Sequence, residues 1–298
     1  MIELGLKIDI DTERGTQIGV PNLLKLFDEL GIKATFLFAL GPDNTGRAIK
    51  RIFRPGFFQK ISRTGVVQIY GLKTLLNGVL WPGPNIAKKH GSLMRDAARA
   101  GHEVGIHCYD HIFWQDRLHD LKEPVVRQEV NKAHDAFKDV FGFAARTMGA
   151  AGWQASRHSL TAYDDHDLLY ASDFRGKKAF FPQVKTRVFK TLQIPTTLPT
   201  LDELLGRPEY PIESITEHYM KLIQPECLNV LTLHAELEGM TYLNWFKEFL
   251  MECIAHRIKT VPLKTIAHKL LEKKSTIPAL PILQGTVDGR SGMLAVHG

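Results

Sequence analysis

Ile2-Glu3-Leu4-Gly5-Leu6-Lys7-Ile8-Asp9-Ile10-Asp11-Thr12 is the stretch from which the fold is read. Residues 2–8 form an apolar run of strand type, and two carboxylates follow it, two residues apart. In extended backbone, residues i and i+2 share a face, so Asp9 and Asp11 can reach one pocket. Like charges held together are unfavourable unless a cation neutralises one or the two do different jobs. Two solvated acids at a polar strand end would look the same. Outward from this strand, residues 20–30 read as a helix, with Pro21 in its first turn and Gly31 at its end. Residues 34–40, 103–107, 168–171, 191–194 and 228–233 are further strand candidates. Residues 92–100, 124–140, 212–223, 243–255 and 263–273 are further helix candidates. Strand–helix alternation of this kind argues for an α/β fold with a parallel sheet and crossover helices. Roughly seven such units are enough to close a barrel, and acidic or imidazole residues at its strand C-termini are then site candidates.

The 298 residues are 44% hydrophobic and 23% charged, which describes a globular protein and excludes collagen-like, coiled-coil and disordered classes. The three cysteines, Cys108, Cys227 and Cys253, form no CxxC pair, so a disulfide scaffold is excluded and a reducing compartment is expected. The start lacks a signal-peptide pattern and no apolar run is long enough for a bilayer, so a cytoplasmic location is expected. Thirty-eight Lys and Arg against 32 Asp and Glu leave a net charge of +6, and its distribution matters more than its size. Residues 44–95 contain no Asp or Glu, while Arg47, Arg51, Arg54, Lys60, Arg63, Lys88 and Lys89 alternate there with Phe53, Phe57, Phe58 and Trp81. A basic amphipathic insertion of this kind suits an anionic membrane surface. No helix-turn-helix, RNA-recognition or zinc-finger pattern supports a nucleic-acid partner. No GxSxG, P-loop or GxGxxG motif points to a serine hydrolase, nucleotidase or dehydrogenase. Residues 1–274 are expected to form one catalytic domain that includes the insertion, followed by an irregular tail over 275–298.

Four further signals carry chemistry. His107 ends the strand candidate at 103–107, and His111 follows four residues later. On one helical turn that spacing brings two imidazoles to one side, which suits a divalent cation. Leu231-Thr232-Leu233-His234 is an apolar strand ending in histidine, and Asp173 and Arg175 follow the short strand at 168–171. Each alone has a structural explanation: a chance histidine pair, a hydrogen-bonded strand end, a surface ion pair.

Their order resembles the polysaccharide deacetylase (NodB-homology) family. Asp9-Ile10-Asp11-Thr12-Glu13-Arg14-Gly15-Thr16, Gly41-Pro42-Asp43-Asn44, Ala150-Ala151-Gly152-Trp153, Gln193-Ile194-Pro195-Thr196-Thr197-Leu198-Pro199-Thr200 and His234-Ala235-Glu236-Leu237-Glu238-Gly239 carry the resemblance. They look most like its branch acting on a lipid-linked formamido sugar. The resemblance implies a distorted (β/α) barrel of about seven strands holding one divalent metal, Zn, Co, Mn or Fe, on Asp11, His107 and His111. It implies that Asp9 is the catalytic base, His234 the general acid and Asp173 the carboxylate that orients His234. Many family members pair the catalytic aspartate with an arginine in an Arg-x-Pro-type motif. Met148-Gly149-Ala150-Ala151-Gly152-Trp153 has none, and Arg175 is expected to supply that cation. Trp153, Glu236, Glu238 and Arg14 are candidates for substrate contact. The implied reaction is hydrolysis of the formamide of undecaprenyl phosphate 4-deoxy-4-formamido-L-arabinose, in lipid A modification and polymyxin resistance, at the inner-membrane surface and without an obligate protein partner. A deacetylase of another N-acylated saccharide and a non-catalytic binder of polyprenyl sugars are the alternatives.

Overall fold

A computed structural model of the chain describes residues 2–48 and 74–297. In chain order the strands are β1 (Glu3–Ile10), β2 (Thr35–Ala39), β3 (Glu103–Cys108), β4 (Thr147–Met148), β5 (Tyr170–Ala171), β6 (Phe181–Val184), β7 (Arg187–Val188), β8 (Leu192–Gln193), β9 (Val230–His234), β10 (Lys259–Val261), β11 (Ala279–Gly285) and β12 (Leu294–His297). The first five, with β8, β9 and β10, make one eight-stranded sheet whose pairings are all parallel. β1 pairs with β2 on one edge and with β9 and β10 on the other, with Lys7 opposite Thr35 of β2 and Asp9 opposite His234 of β9. The sheet curls until the segment after β8 meets β9. There Thr197 N donates to Val230 O at 3.1 Å and Val230 N to Thr197 Oγ1 at 2.8 Å. Closure by these few bonds instead of a full ladder makes the barrel distorted, the architecture expected from the sequence.

β1 shows how the sequence builds this shape. Leu4, Leu6, Ile8 and Ile10 are fully buried in the core that the sheet shares with its helices. Alternation sends Gly5, Lys7 and Asp9 to the other face, inside the barrel. The floor of the barrel is apolar, with Tyr170, Leu192, Val230, Leu263 and Ile266 packed together. At the N-terminal end of the strands Glu103 accepts hydrogen bonds from Thr35 Oγ1 at 2.6 Å and Tyr170 OH at 3.0 Å. Lys7 and Asp9 lie further along β1, toward the C-terminal rim.

The helices are α1 (Val20–Leu30), α2 (Ile86–Arg99), α3 (His111–Arg117), α4 (Glu123–Phe141), α5 (Arg157–Tyr163), α6 (Leu201–Leu204), α7 (Ile212–Leu222), α8 (Leu243–Ala255) and α9 (Leu263–Glu272). α1 buries Val20, Leu23, Leu26 and Phe27, a stripe of helical period, and stops at Gly31, whose φ of 65° is the left-handed cap that glycine allows. α2 starts six residues before its expected start, where the Asn85 side chain caps it by accepting from Lys88 N at 2.9 Å. Residues 49–73 of the basic insertion lie outside the described residues, and the membrane-docking expectation with them.

The irregular tail is a correction. β11 pairs parallel with β6 and antiparallel with β12, giving a second four-stranded sheet against the barrel. Its Pro and Gly content hides these strands, and the pairing partners, not an apolar period of its own, hold β11 in place. No helix among the described residues is long and apolar enough to cross a membrane.

Candidate active site

The rim of the barrel assembles the first candidates as one cluster. Asp11 follows β1, His107 lies near the end of β3, and His111 opens α3. The two histidines thus come from a strand end and a helix start, not from one helical turn. Asp110 makes the bend: its Oδ1 caps α3 by accepting from Phe113 N at 3.0 Å, while its Oδ2 accepts from Asn44 Nδ2 at 2.6 Å. Asp43 in turn receives Glu13 N at 3.0 Å, so the Gly41-Pro42-Asp43-Asn44 motif ties the loops after β1, β2 and β3 together.

Asp11 Oδ1 lies 3.1 Å from His107 Nε2, and its Oδ2 lies 3.4 Å from His111 Nε2. One donor atom from each of the three residues lies within 4.8 Å of the others. A carboxylate and two imidazoles that converge in this way fit a divalent cation and leave further coordination positions for small oxygen ligands. Burial alone would raise the Asp11 pKa. The His111 and His107 imidazoles, with His234, outweigh it and hold the carboxyl well below its ordinary range. Burial likewise opposes protonation of His107, and Asp9 and Asp11 outweigh it in raising that pKa.

Asp9 stands one pleat deeper. Its cation is Lys7, not Arg175: Lys7 Nζ lies 3.2 Å from Asp9 Oδ2, with both side chains buried. Lys7 also donates to Ser172 O at 3.3 Å. Arg175 Nη1 instead pairs with Glu203 Oε1, and its Nη2 donates to Leu198 O at 3.1 Å. Asp9 Oδ1 is buried and has no hydrogen-bond partner among the described residues. The sequence carried the signal for Lys7, a lysine inside an apolar strand at i−2 from the first aspartate.

His234, at the end of β9, faces a different carboxylate from the expected one. Asp202 of α6 lies nearest, its Oδ1 3.9 Å from His234 Nδ1. Asp173 is spent on backbone and amide: it receives Ala150 N at 2.7 Å and Gln193 Nε2 at 2.9 Å. Burial raises its pKa to about 6 against those hydrogen bonds. Asp202 lies two residues beyond the Gln193–Thr200 motif, and the position of α6 brings it to the site.

Glu236 and Glu238 are not open sugar contacts either. Glu236 Oε1 receives Asp11 N, Thr12 N and Thr12 Oγ1 at 3.1, 2.9 and 2.7 Å, and Glu238 Oε2 receives His234 N at 2.9 Å. Both are fully buried, and burial raises each pKa to about 8. They clamp the turns that carry Asp11 and His234. Trp153 is buried, with its indole edge-on to His234 and its Nε1 donating to Thr196 Oγ1 at 3.1 Å. It adopts φ 52° beside Gly152 at 61°, a left-handed bend that is costly for a bulky residue and persists only where its surroundings enforce it. Arg14 is half-buried, and its Nε has no hydrogen-bond partner among the described residues. Cys108 is buried, and burial pushes its thiol well above the ordinary range, the state of an inert structural cysteine.

Residues 11–171 match the polysaccharide deacetylase family model, a span that includes Asp11, His107 and His111. The probable 4-deoxy-4-formamido-L-arabinose-phosphoundecaprenol deformylase of Shewanella sediminis is 36% identical over 294 residues, covering 98% of this chain and 94% of that one. The chain belongs to the polysaccharide deacetylase family. It is a hydrolase of the amide-cleaving kind that this family contains. A similarly named protein of Wigglesworthia glossinidia brevipalpis is 35% identical over 283 residues, 94% of this chain and 97% of that one. A solved structure assigned to the polysaccharide deacetylases, from Mycobacterium smegmatis, superposes with a TM-score of 0.65 at 18% identity, covering 96% of this chain and 94% of that one. That likeness shows the fold.

Two outcomes follow from the buried charges. Lys7→Met leaves Asp9 buried without its cation and is expected to cost about 3–5 kcal/mol, most of it recovered in Lys7→Met/Asp9→Leu. Urea unfolding of the metal-free protein measures this, and a single variant as stable as wild type would break the pairing. Glu238 keeps its proton in the folded protein up to about pH 8, whereas the unfolded chain releases it near the ordinary 4.5. Its contribution is therefore complete below that lower value and lost as pH rises through the upper one. Glu238→Gln keeps an acceptor for His234 N and has no proton to lose. Its melting temperature should gain on wild type as pH rises from about 5 to about 9, and a pH-independent difference would contradict the assignment.

Proposed function

We propose that this chain removes the formyl group from undecaprenyl phosphate 4-deoxy-4-formamido-L-arabinose, releasing formate and the free amine. The observation that carries the reading is the juxtaposition of Asp9, with one buried oxygen unpartnered, the Asp11–His107–His111 donor set and His234 at one barrel rim. The names of the two curated relatives support the choice of substrate. Asp11, His107 and His111 would hold one divalent metal. When bound, such an ion supplies Lewis acidity toward the scissile carbonyl and acidifies water.

The protein's own groups divide the proton transfers. Water adds to the formyl carbon, and Asp9 Oδ1 accepts its proton while Lys7 holds Oδ2. As the C–N bond breaks, His234 donates a proton to the nitrogen, because an amine expelled as an anion is a poor leaving group. Asp202 faces the imidazole charge. The products are formate and the amino sugar on its lipid carrier. In this reading the amine serves lipid A modification and polymyxin resistance, since its positive charge weakens the binding of cationic peptides.

A substrate on a polyprenyl chain stays in the bilayer, so the enzyme must work at the cytoplasmic face of the inner membrane. The acid-free composition of residues 44–95 supports docking there, as does the exposure of Val79, Leu80 and Trp81 within that segment. An open binder of lipid-linked sugars would need neither Asp9 nor a proton donor, and an exported-polymer deacetylase would have no use for a basic apolar insertion.

Purified wild-type protein should release formate from the formamido-arabinose lipid, lose this on chelation, regain it with a divalent metal, and lose it fully in Asp9→Asn with metal content unchanged. Absence of release by folded, metal-loaded protein would remove the substrate assignment and direct the assay to N-acetylated saccharides. On liposomes containing anionic lipid the protein should float at low salt and come off as salt rises. Protein that stays at the bottom of the gradient at low salt would rule the docking out.

A further inference from the structure

The loop between β11 and β12 is anchored to the barrel on both sides of one arginine. Before it, Arg207 Nη1 holds Asp288 Oδ2 at 2.7 Å. Gly289, at φ +80°, passes so close that a Cβ there would lie 2.2 Å from Glu203 O, a contact that no other residue could make. After it, Gln154 Nε2 donates to Met293 O at 2.8 Å. Between these anchors Arg290 turns inward. Its side chain is 12% exposed and its guanidinium stacks on Trp153, Cζ 4.4 Å from the ring centre.

Arg290 Nη1 is buried and has no hydrogen-bond partner among the described residues. It lies 3.6 Å from Glu203 Oε1 and 4.0 Å from Asp202 Oδ2. Glu203 already has a cation, because Arg175 pairs with it directly. The second guanidinium is therefore the counter-charge of Asp202, whose Oδ1 also accepts from Thr200 Oγ1 at 2.5 Å. That same Oδ1 is the oxygen that lies 3.9 Å from His234 Nδ1. The carboxylate thus faces the guanidinium through Oδ2 and the imidazole through Oδ1. Without the guanidinium, Asp202 and Glu203 would be adjacent carboxylates sharing one cation, and the less buried of the two, Asp202, would turn away.

We propose that Arg290 is a positioning residue for the proton donor: it holds Asp202 toward His234 Nδ1, which leaves Nε2 as the proton-bearing atom for the departing amine. The C-terminal sheet is then part of the catalytic apparatus. This rests on His234 acting as the acid. The other groups facing His234 are Glu238, bonded to its backbone N–H, Asp9, its register partner on β1, Asp11, and the edge of Trp153.

The test follows the His234 ring by nitrogen NMR in the full-length, zinc-loaded protein, with His234→Gln identifying its signals. Arg290→Gln should lower the titration midpoint of His234 by about one pH unit, Asp202→Asn should do the same, and the double variant should go no lower. Arg290→Lys, which keeps the charge and loses the fork, should fall between wild type and Arg290→Gln, and should serve alone if Arg290→Gln does not fold. In turnover, Arg290→Gln should reduce kcat on the order of tenfold with KM unchanged, moving the alkaline limb of the pH profile to lower pH. A His234 midpoint unchanged or raised in Arg290→Gln, or effects of the two substitutions that add, would overturn the proposal. The ring titration needs no substrate. Coupled midpoints with no formate release would therefore sink the substrate assignment alone, and formate release with uncoupled midpoints would sink this one alone.

Discussion

Two carboxylates on one face at the end of a strand that is buried on both sides set the terms for everything near them. Desolvated like charges on adjacent same-face positions cannot persist without cations, and the cations must come from elements that pack there. Lys7 comes from the same face of the same strand and neutralises Asp9. The imidazoles of His107 and His111 come from β3 and α3 and surround Asp11. This is why the loops after β1, β2 and β3 are bound to one another through Asp43, Asn44 and Asp110 and not left free. A shift of any one of them would separate an anion from its partner in a poorly solvated place.

A second group of acids surrounds the first, and environment separates their roles. Asp11 is held ionised by its neighbours, whereas burial raises Asp173 to about 6 and Glu236 and Glu238 to about 8. The three raised groups accept backbone or amide hydrogen bonds and set the positions of the turns. Glu236 and Glu238, which keep their protons at neutral pH, add little negative charge to a rim already crowded with it, whereas Asp173 is largely ionised there and is met by its hydrogen-bond donors. Carboxylates whose environments push them apart in this way are the usual basis for dividing structural, ligating and acid–base work within one pocket.

Much of this was legible because it is local. The alternation in β1, the terminal histidine of β9, and the cap signals of α1 depend on residues within a few positions of one another, and the family's motif order placed Asp9, Asp11, His107, His111 and His234. What failed was pairing across the barrel. The resemblance gives Asp173 to His234, and Arg175, two residues on, is expected to pair with Asp9, yet the segment after β5 takes them to Gln193 and Glu203 instead. Asp202 carries no motif and reaches His234 only because α6 begins at the rim. Glu236 and Glu238 are read as substrate contacts because they follow His234 so closely, and nothing local signals that both are buried and bonded to backbone N–H groups.

The division of labour around the barrel also follows from where it closes. β1 and β2 form a regular ladder, and β2 and β3 form one whose register shifts only at His107. The three metal-fitting donors come from β1, β3 and α3 or their edges, all within the span matched by the family model. Closure between β8 and β9 is made by a few bonds of Thr196 and Thr197, and the irregular backbone there leaves a seam rather than a ladder. Trp153, Arg175, Asp202 and the inward loop of the C-terminal sheet meet at that seam around His234. A regular ladder would have occupied the same edge with backbone partners and left no opening for side chains from α6 and the tail. The metal-fitting half is therefore tied to the sheet register. The half around His234 rests on side-chain contacts that can change without moving Asp11, His107 or His111.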